Sequence, residues 1–148
     1  WHNADHLLSV ARTPERWTLA TSASTLQRIQ LIKGWYVNGK LKEKVMTVAG
    51  GDNNASVDIN TCQTSGEGHQ QLCSIWRDPE FDEANHAFYY TRVLENPSCR
   101  WSQMICAKSG VQCDDPSSIP EELKTCCSEE HKPIIQERAW SSPIWFTP

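Results

Sequence analysis

A chain of 148 residues with 14 basic and 18 acidic side chains carries a net charge of −4, which gives it no general attraction to nucleic acid or anionic lipid. Its 39% hydrophobic content, with seven Trp, suits one globular domain of ordinary size, and no stretch is apolar for long enough to span a bilayer. Seven Cys, five of them between residues 99 and 127, imply disulfides and hence a secreted or periplasmic setting, with one thiol over unless chains are cross-linked.

Residues 1–25 show no sustained period and read as an N-terminal extension or the remnant of a preceding domain, with Trp17–Ala20 as a short edge strand. The opening WHNADHLL lacks the basic start and apolar run of a signal peptide, so a leader or more is expected to have been removed. His2 and His6 are spaced to share one face of a helix, as in zinc sites, but no third ligand stands near and a frayed terminus is the stronger reading. From Leu26 a strand leads to Asn38-Gly39, the strongest short hairpin signal, and Lys40–Val48 returns from it. Lys40, Lys42 and Lys44 alternate along that strand as a solvated face or a charged edge. Asp52, Asn54, Ser56 and Asp58 imitate the start of a calcium loop but lack its Gly and its bidentate Glu, so a polar turn is expected.

Ser56–Asn60 reads as a short strand and Leu72–Trp76 as another, with Asp78-Pro79-Glu80 turning the chain into Ala87–Trp101. In that run Phe88, Tyr90 and Leu94 alternate with Ala87, Tyr89, Thr91 and Val93, so both faces are apolar and the strand belongs at the centre of a sheet. Arg92 interrupts it and is expected to be mostly buried and ion-paired. Ser118-Ile119-Pro120-Glu121 has capping-box spacing and predicts one short helix over 119–128. Cys126 and Cys127 then point about 100° apart and should bridge to different partners. Ile134–Trp140 and Ile144–Phe146 are strands, with Pro143 at an edge or a bulge. The fold class is therefore mainly β: an immunoglobulin-like sandwich over 26–148 with a short helical, disulfide-rich insertion.

Cys62, Cys73, Cys99, Cys106, Cys113, Cys126 and Cys127 are all disulfide candidates, and three intramolecular bridges are expected, Cys62–Cys73 foremost because it would staple the polar loop between them. No matched CxxC pairs suggest structural zinc, and Ser141 and Ser142 lie in no nucleophile elbow, so neither a metal nor a catalytic residue is assigned. The remaining set is Arg92, Glu95, Arg100, Trp101, Glu137, Arg138 and Trp140, at the ends of two strands. Arg and Trp there could hold an anionic or ring-shaped ligand or an adjoining domain, although an Arg–carboxylate lattice under Trp lids is the heavier reading.

The motifs LQRIQLIKGW (26–35), GKLKEKV (39–45), SIWRDPEFD (74–82), AFYYTRVLENPSCRW (87–101) and IQERAWSSPIWFTP (135–148) give the chain a resemblance to the C-terminal part of the domain-of-unknown-function family 3604. That family's long members look like metal-dependent hydrolases of the polymerase and histidinol phosphatase (PHP) type, and residues 99–127 are similar to those of a secreted subgroup. The resemblance implies a catalytic domain with a divalent metal on His and Asp ligands, N-terminal to this region. This chain would be its non-catalytic accessory module, without a cofactor of its own, packing against and shaping that domain. The alternative is a free-standing structural or binding protein that self-assembles through an edge strand or a leftover Cys. An independently active hydrolase would need metal-dependent turnover that relies on His2 or His6. As an accessory module, the isolated chain is expected to expose an apolar patch.

Overall fold

The computed structural model describes residues 6–12, 25–115, 117 and 119–148. In chain order the strands are β1 (His6–Arg12), β2 (Leu26–Val37), β3 (Lys40–Gly50), β4 (Ser56–Val57), β5 (Thr64–Ser65), β6 (Gln71–Arg77), β7 (Ala87–Glu95), β8 (Ser98–Cys99), β9 (Ile134–Ile135), β10 (Arg138–Trp140) and β11 (Ile144–Phe146). Helix α1 (Trp101–Lys108) and a 3-10 helix (Glu121–Cys127) lie between β8 and β9. The Trp17–Ala20 strand, His2 and the Ser118 cap fall outside the described residues.

The hairpin forms where Asn38-Gly39 demands it. Both residues take positive φ, 52° and 75°, the requirement of a type I′ turn, and Val37 pairs with Lys40 immediately before and after it. The Ala87 strand is central as its two apolar faces require: β7 is flanked by β2 on one side and by β10 and β11 on the other. The sheet runs β10-β7-β2-β3, with β11 also on β7, and β3 with its three lysines is an edge. Pro143 sits where the register slips. Trp140 pairs with Arg92 and Ile144 with Tyr89, so the chain skips a position at Ser141-Ser142-Pro143, which is where a residue without an N–H is tolerated.

A second, two-stranded layer of β1 and β6 pairs over seven positions, from His6–Arg77 to Arg12–Gln71, and lies over one face of the large sheet. Trp76 of β6 packs against Leu31, Ala87 and Tyr89, and Leu72 against Leu26 and Ile29. The chain is thus mainly β, two-layered and compatible with an immunoglobulin-like sandwich.

Several expectations need correction. His6 opens a strand, not a helix, so the spacing that would have put it on a helical face beside His2 does not apply. The strand expected over Ser56–Asn60 ends at Val57, because the Asp58 carboxylate accepts the Asn60 N–H and the Thr61 hydroxyl and turns the chain. Ile134–Trp140 is two strands, the first on β8 and the second on β7. The helix expected over 119–128 is the 3-10 helix Glu121–Cys127, and α1 was not anticipated.

The expected Cys62–Cys73 bridge is absent. Cys62 joins Cys99, Cys106 joins Cys126 and Cys113 joins Cys127, leaving Cys73 exposed and free. Cys73 alternates with inward-facing Leu72 and so points away from the core, while Cys62 meets the buried Cys99 in β8, the short strand that follows the central one. Cys126 and Cys127 do go to separate partners, and three disulfides place maturation in an oxidising compartment.

Candidate functional site

The two faces of the five-stranded sheet differ in chemistry. The register puts Leu31, Lys33, Trp35, Tyr89 and Ala87 on the face under the β1–β6 layer. Ile32, Gly34, Tyr36, Leu41, Val45, Phe88, Tyr90 and Trp145 fall on the other. On that second face Leu41 is 71% exposed and Trp145 69%, with Tyr36 and Val45 also exposed. Large apolar side chains in one contiguous group are unusual on a surface, unlike scattered single ones.

Rings are arranged across the strands. Phe88 lies 5.2 Å from Trp145 and 6.3 Å from Tyr90, the latter pair nearly parallel at 12°. Gly34 makes the arrangement possible: a Cβ there would sit 2.2 Å from the tip of the Phe88 ring, which lies over the glycine of the neighbouring strand. The result is an apolar cleft of about 290 Å³ lined by Gly34, Tyr36, Leu41, Phe88, Trp145 and Thr147. Gly34→Val should displace Phe88 and cost roughly 1–3 kcal/mol as an overpacked site. Near-ultraviolet dichroism and a denaturation curve would check this, and an unchanged aromatic signal would count against the packing described.

Under the opposite face lies a polar cluster that the sequence did not announce. Lys33 Nζ donates to Asp78 Oδ2 at 2.5 Å and to the Glu80 carbonyl at 2.8 Å, with the two side chains only 5% and 3% exposed. The Tyr89 hydroxyl donates to the same Asp78 Oδ2 at 2.7 Å, and the Glu80 N–H to Oδ1 at 2.9 Å. Lys33 Nζ also stands 5.1 Å from the Trp35 ring centre and 5.8 Å from that of Tyr89. Burial by itself would raise the Asp78 carboxyl, but donation from Lys33, Tyr89 and the Glu80 N–H outweighs it and holds the group below its ordinary value. Burial, then the hydrogen bond to Asp78 and that residue's charge, push the Tyr89 phenol well above its usual range. The one available signal was a lone Lys inside a run apolar on both sides, which obliges a buried partner.

A raised phenol contributes stability that is fully present below the unfolded value near pH 10 and is lost as pH climbs above it. Denaturation midpoints measured from pH 7 to 11 should therefore fall at the alkaline end, and Tyr89→Phe should lose part of that slope. Equal slopes in both proteins would contradict the assignment.

The residues singled out in the sequence are partly brought together. Arg92 and Trp140 are cross-strand partners, as are Leu94 and Arg138, so Arg92, Arg138 and Trp140 occupy one end of the aromatic face. Glu95 donates its N–H to the Glu137 carbonyl, which places those two side by side. Arg100 and Trp101 stand apart, where the Arg100 N–H meets the Pro133 carbonyl and Trp101 begins α1. Arg92 itself is half-buried rather than mostly buried, and its partner is the Gln30 side-chain oxygen, at 2.9 and 2.6 Å from Nε and an Nη, rather than a carboxylate. The cross-strand position opposite Arg92 on β2 is Gln30, so an amide serves where an ion pair was expected.

Among the described residues no three His, Cys, Asp or Glu side chains are grouped to hold a metal ion. None of their helices is long and apolar enough to cross a membrane. No characterised protein and no solved structure matches the chain. The family described as protein of unknown function (DUF3604) matches over residues 16–148. That span takes in every strand from β2 to β11 and both faces of the large sheet, and the chain belongs to this family.

Proposed function

We propose that this chain is a non-catalytic accessory module of a secreted or periplasmic PHP-like metallohydrolase, and that it packs against the catalytic domain of the same polypeptide through the aromatic face of its sheet. The observation that carries the reading is that face: Tyr36, Leu41, Val45 and Trp145 are exposed together around the Gly34–Phe88 cleft. Burying each large apolar side chain is worth roughly 1.5–3 kcal/mol before the costs of association, and covalent linkage to the partner domain reduces those costs. Arg92, Arg138 and Trp140 would form a polar rim at one end of the contact, as is usual around an apolar interface core. The divalent metal and the chemistry belong to the partner domain in this reading, and no step is routed through this chain.

Hydrogen exchange tests it. The chain alone and the chain joined to the metallohydrolase domain of a long family member should differ in β3, β7 and β11, with the joined form more protected. Leu41→Glu combined with Trp145→Glu should abolish the difference. Identical exchange in the two forms would sink the proposal.

A second reading rests on Cys73, which is exposed beside Ile75, itself 75% exposed, on the outer side of β6. Here the protein stands alone and joins copies of itself through that thiol. Sedimentation should then show dimers that disappear with reductant and in Cys73→Ser, while monomers under oxidising conditions would exclude it.

A further inference from the structure

We propose that Lys33 and Asp78 condense into an intramolecular amide, so that a covalent bond between side chains crosses the core in addition to the three disulfides. The pair is dry, with side chains 5% and 3% exposed, and its atoms are already in contact at 2.5 Å. Contact held by the fold replaces the encounter that makes amide formation slow between free groups. The reaction needs no co-reactant: one ammonium and one carboxylate give one amide and one water.

The surrounding atoms fit both the step and its product. The resting state is the ion pair, which the donors around Asp78 favour; the reaction passes through the minor tautomer in which a proton has moved from Lys33 Nζ across the short contact to Asp78 Oδ2, leaving an amine beside a carboxylic acid. The Nζ lone pair then attacks Cγ, forming the C–N bond, and the Cγ–Oδ2 bond breaks. Oδ2 is the oxygen to which the Tyr89 hydroxyl donates at 2.7 Å, so Tyr89 can pass its proton to the departing oxygen and take one back from the nitrogen, and Oδ2 leaves as water.

The amide that remains has one N–H and one carbonyl oxygen. Nζ already donates to the Glu80 carbonyl at 2.8 Å, and Oδ1, the oxygen retained, already accepts the Glu80 N–H at 2.9 Å. Both polar groups of the product thus have partners in place on one residue, and two buried charges disappear. The reacting pair lies beneath the β1–β6 layer, on the opposite face of the sheet from the docking surface, so the two proposals stand or fall separately.

Intact mass of the purified full chain after complete reduction decides the matter. The expected mass is that of the sequence less one water, and proteolysis should release a branched peptide joining the segment around Lys33 to the one around Asp78. Lys33→Arg should restore the full sequence mass. Asp78→Asn, which can condense only by expelling ammonia, should lose ammonia instead of water and so remains informative if the arginine variant fails to fold. Tyr89→Phe should slow or stop the loss while the protein still folds. A reduced mass equal to the sequence, or a missing water traced to an Asp imide with no branched peptide, would overturn the proposal and leave an ordinary buried ion pair.

Discussion

Lys33→Met should destabilise the protein by about 3–5 kcal/mol, the range found when one partner of a buried charge pair is removed. For a chain of this size that corresponds to a fall in melting temperature of roughly 6–20 °C. Asp78 would be left with its Oδ2 facing a methionine in a site where its side chain is 3% exposed, retaining only the Tyr89 hydroxyl and the Glu80 N–H. The carboxylate must then either stay charged and dry or take up a proton, and both routes cost folding free energy. These values are those of the ion pair; where the amide forms, the variant also loses a cross-link spanning 45 positions, so the fall is larger and a double apolar variant recovers less of it. Lys33→Met with Asp78→Leu should recover much of the loss, because two apolar groups leave no orphaned charge. Urea denaturation of the single and double variants gives the comparison. A Lys33→Met protein within about 1 kcal/mol of wild type would mean that the site admits water or rearranges, and it would contradict the burial described here.

The cluster also shows where reading the sequence stops. Features fixed by neighbouring residues were legible: Asn38-Gly39 set the hairpin, the doubled apolar faces of Ala87–Glu95 set the sheet centre, and the adjacency of Cys126 and Cys127 forbade their pairing. Features that depend on which distant residues meet were not. Lys33 and Asp78 are 45 positions apart, and only the docking of the β6–β7 turn against β2 brings them together. Cys62 and Cys99 are separated by 37, and an alternation that turned Cys73 outward could be seen only once β6 had a known inner side. Helix α1 went unseen because Arg100 precedes it with no side-chain cap bond and its first turn carries no acidic residue, so neither usual signal of a helix start is present. For the aromatic face, the residues at the strand ends were visible as Arg92, Arg138 and Trp140. The cleft beside them depends on Gly34 lying opposite Phe88, a register fact.

Replacing both Cys62 and Cys99 by Ala should cost about 4 kcal/mol, more than removing either of the other bridges, for which loop closure predicts about 3 kcal/mol. The ranking follows from separation: Cys62–Cys99 closes 37 positions, Cys106–Cys126 closes 20 and Cys113–Cys127 closes 14. Location reinforces it. Cys106–Cys126 and Cys113–Cys127 tie α1, the loop after it and the 3-10 helix to one another, so their removal loosens a lobe that hangs from the sheet. Cys62–Cys99 joins the turn after β4 to β8, and it works beside the Gln103 side chain, which donates to the Ile59 carbonyl at 2.7 Å, and the β8–β9 pairing. Without it the lobe keeps its internal bridges but loses its covalent tie to the turn after β4, and the buried Cys99 position is left with a gap. Denaturant midpoints of the three double-Ala variants test the order, and the ranking fails if the Cys113–Cys127 pair proves the most costly. Alkylation of the unreduced wild-type chain supplies an independent check: one label, on Cys73, is expected, and a label on Cys62 or Cys99 would show that the bridge between them does not form.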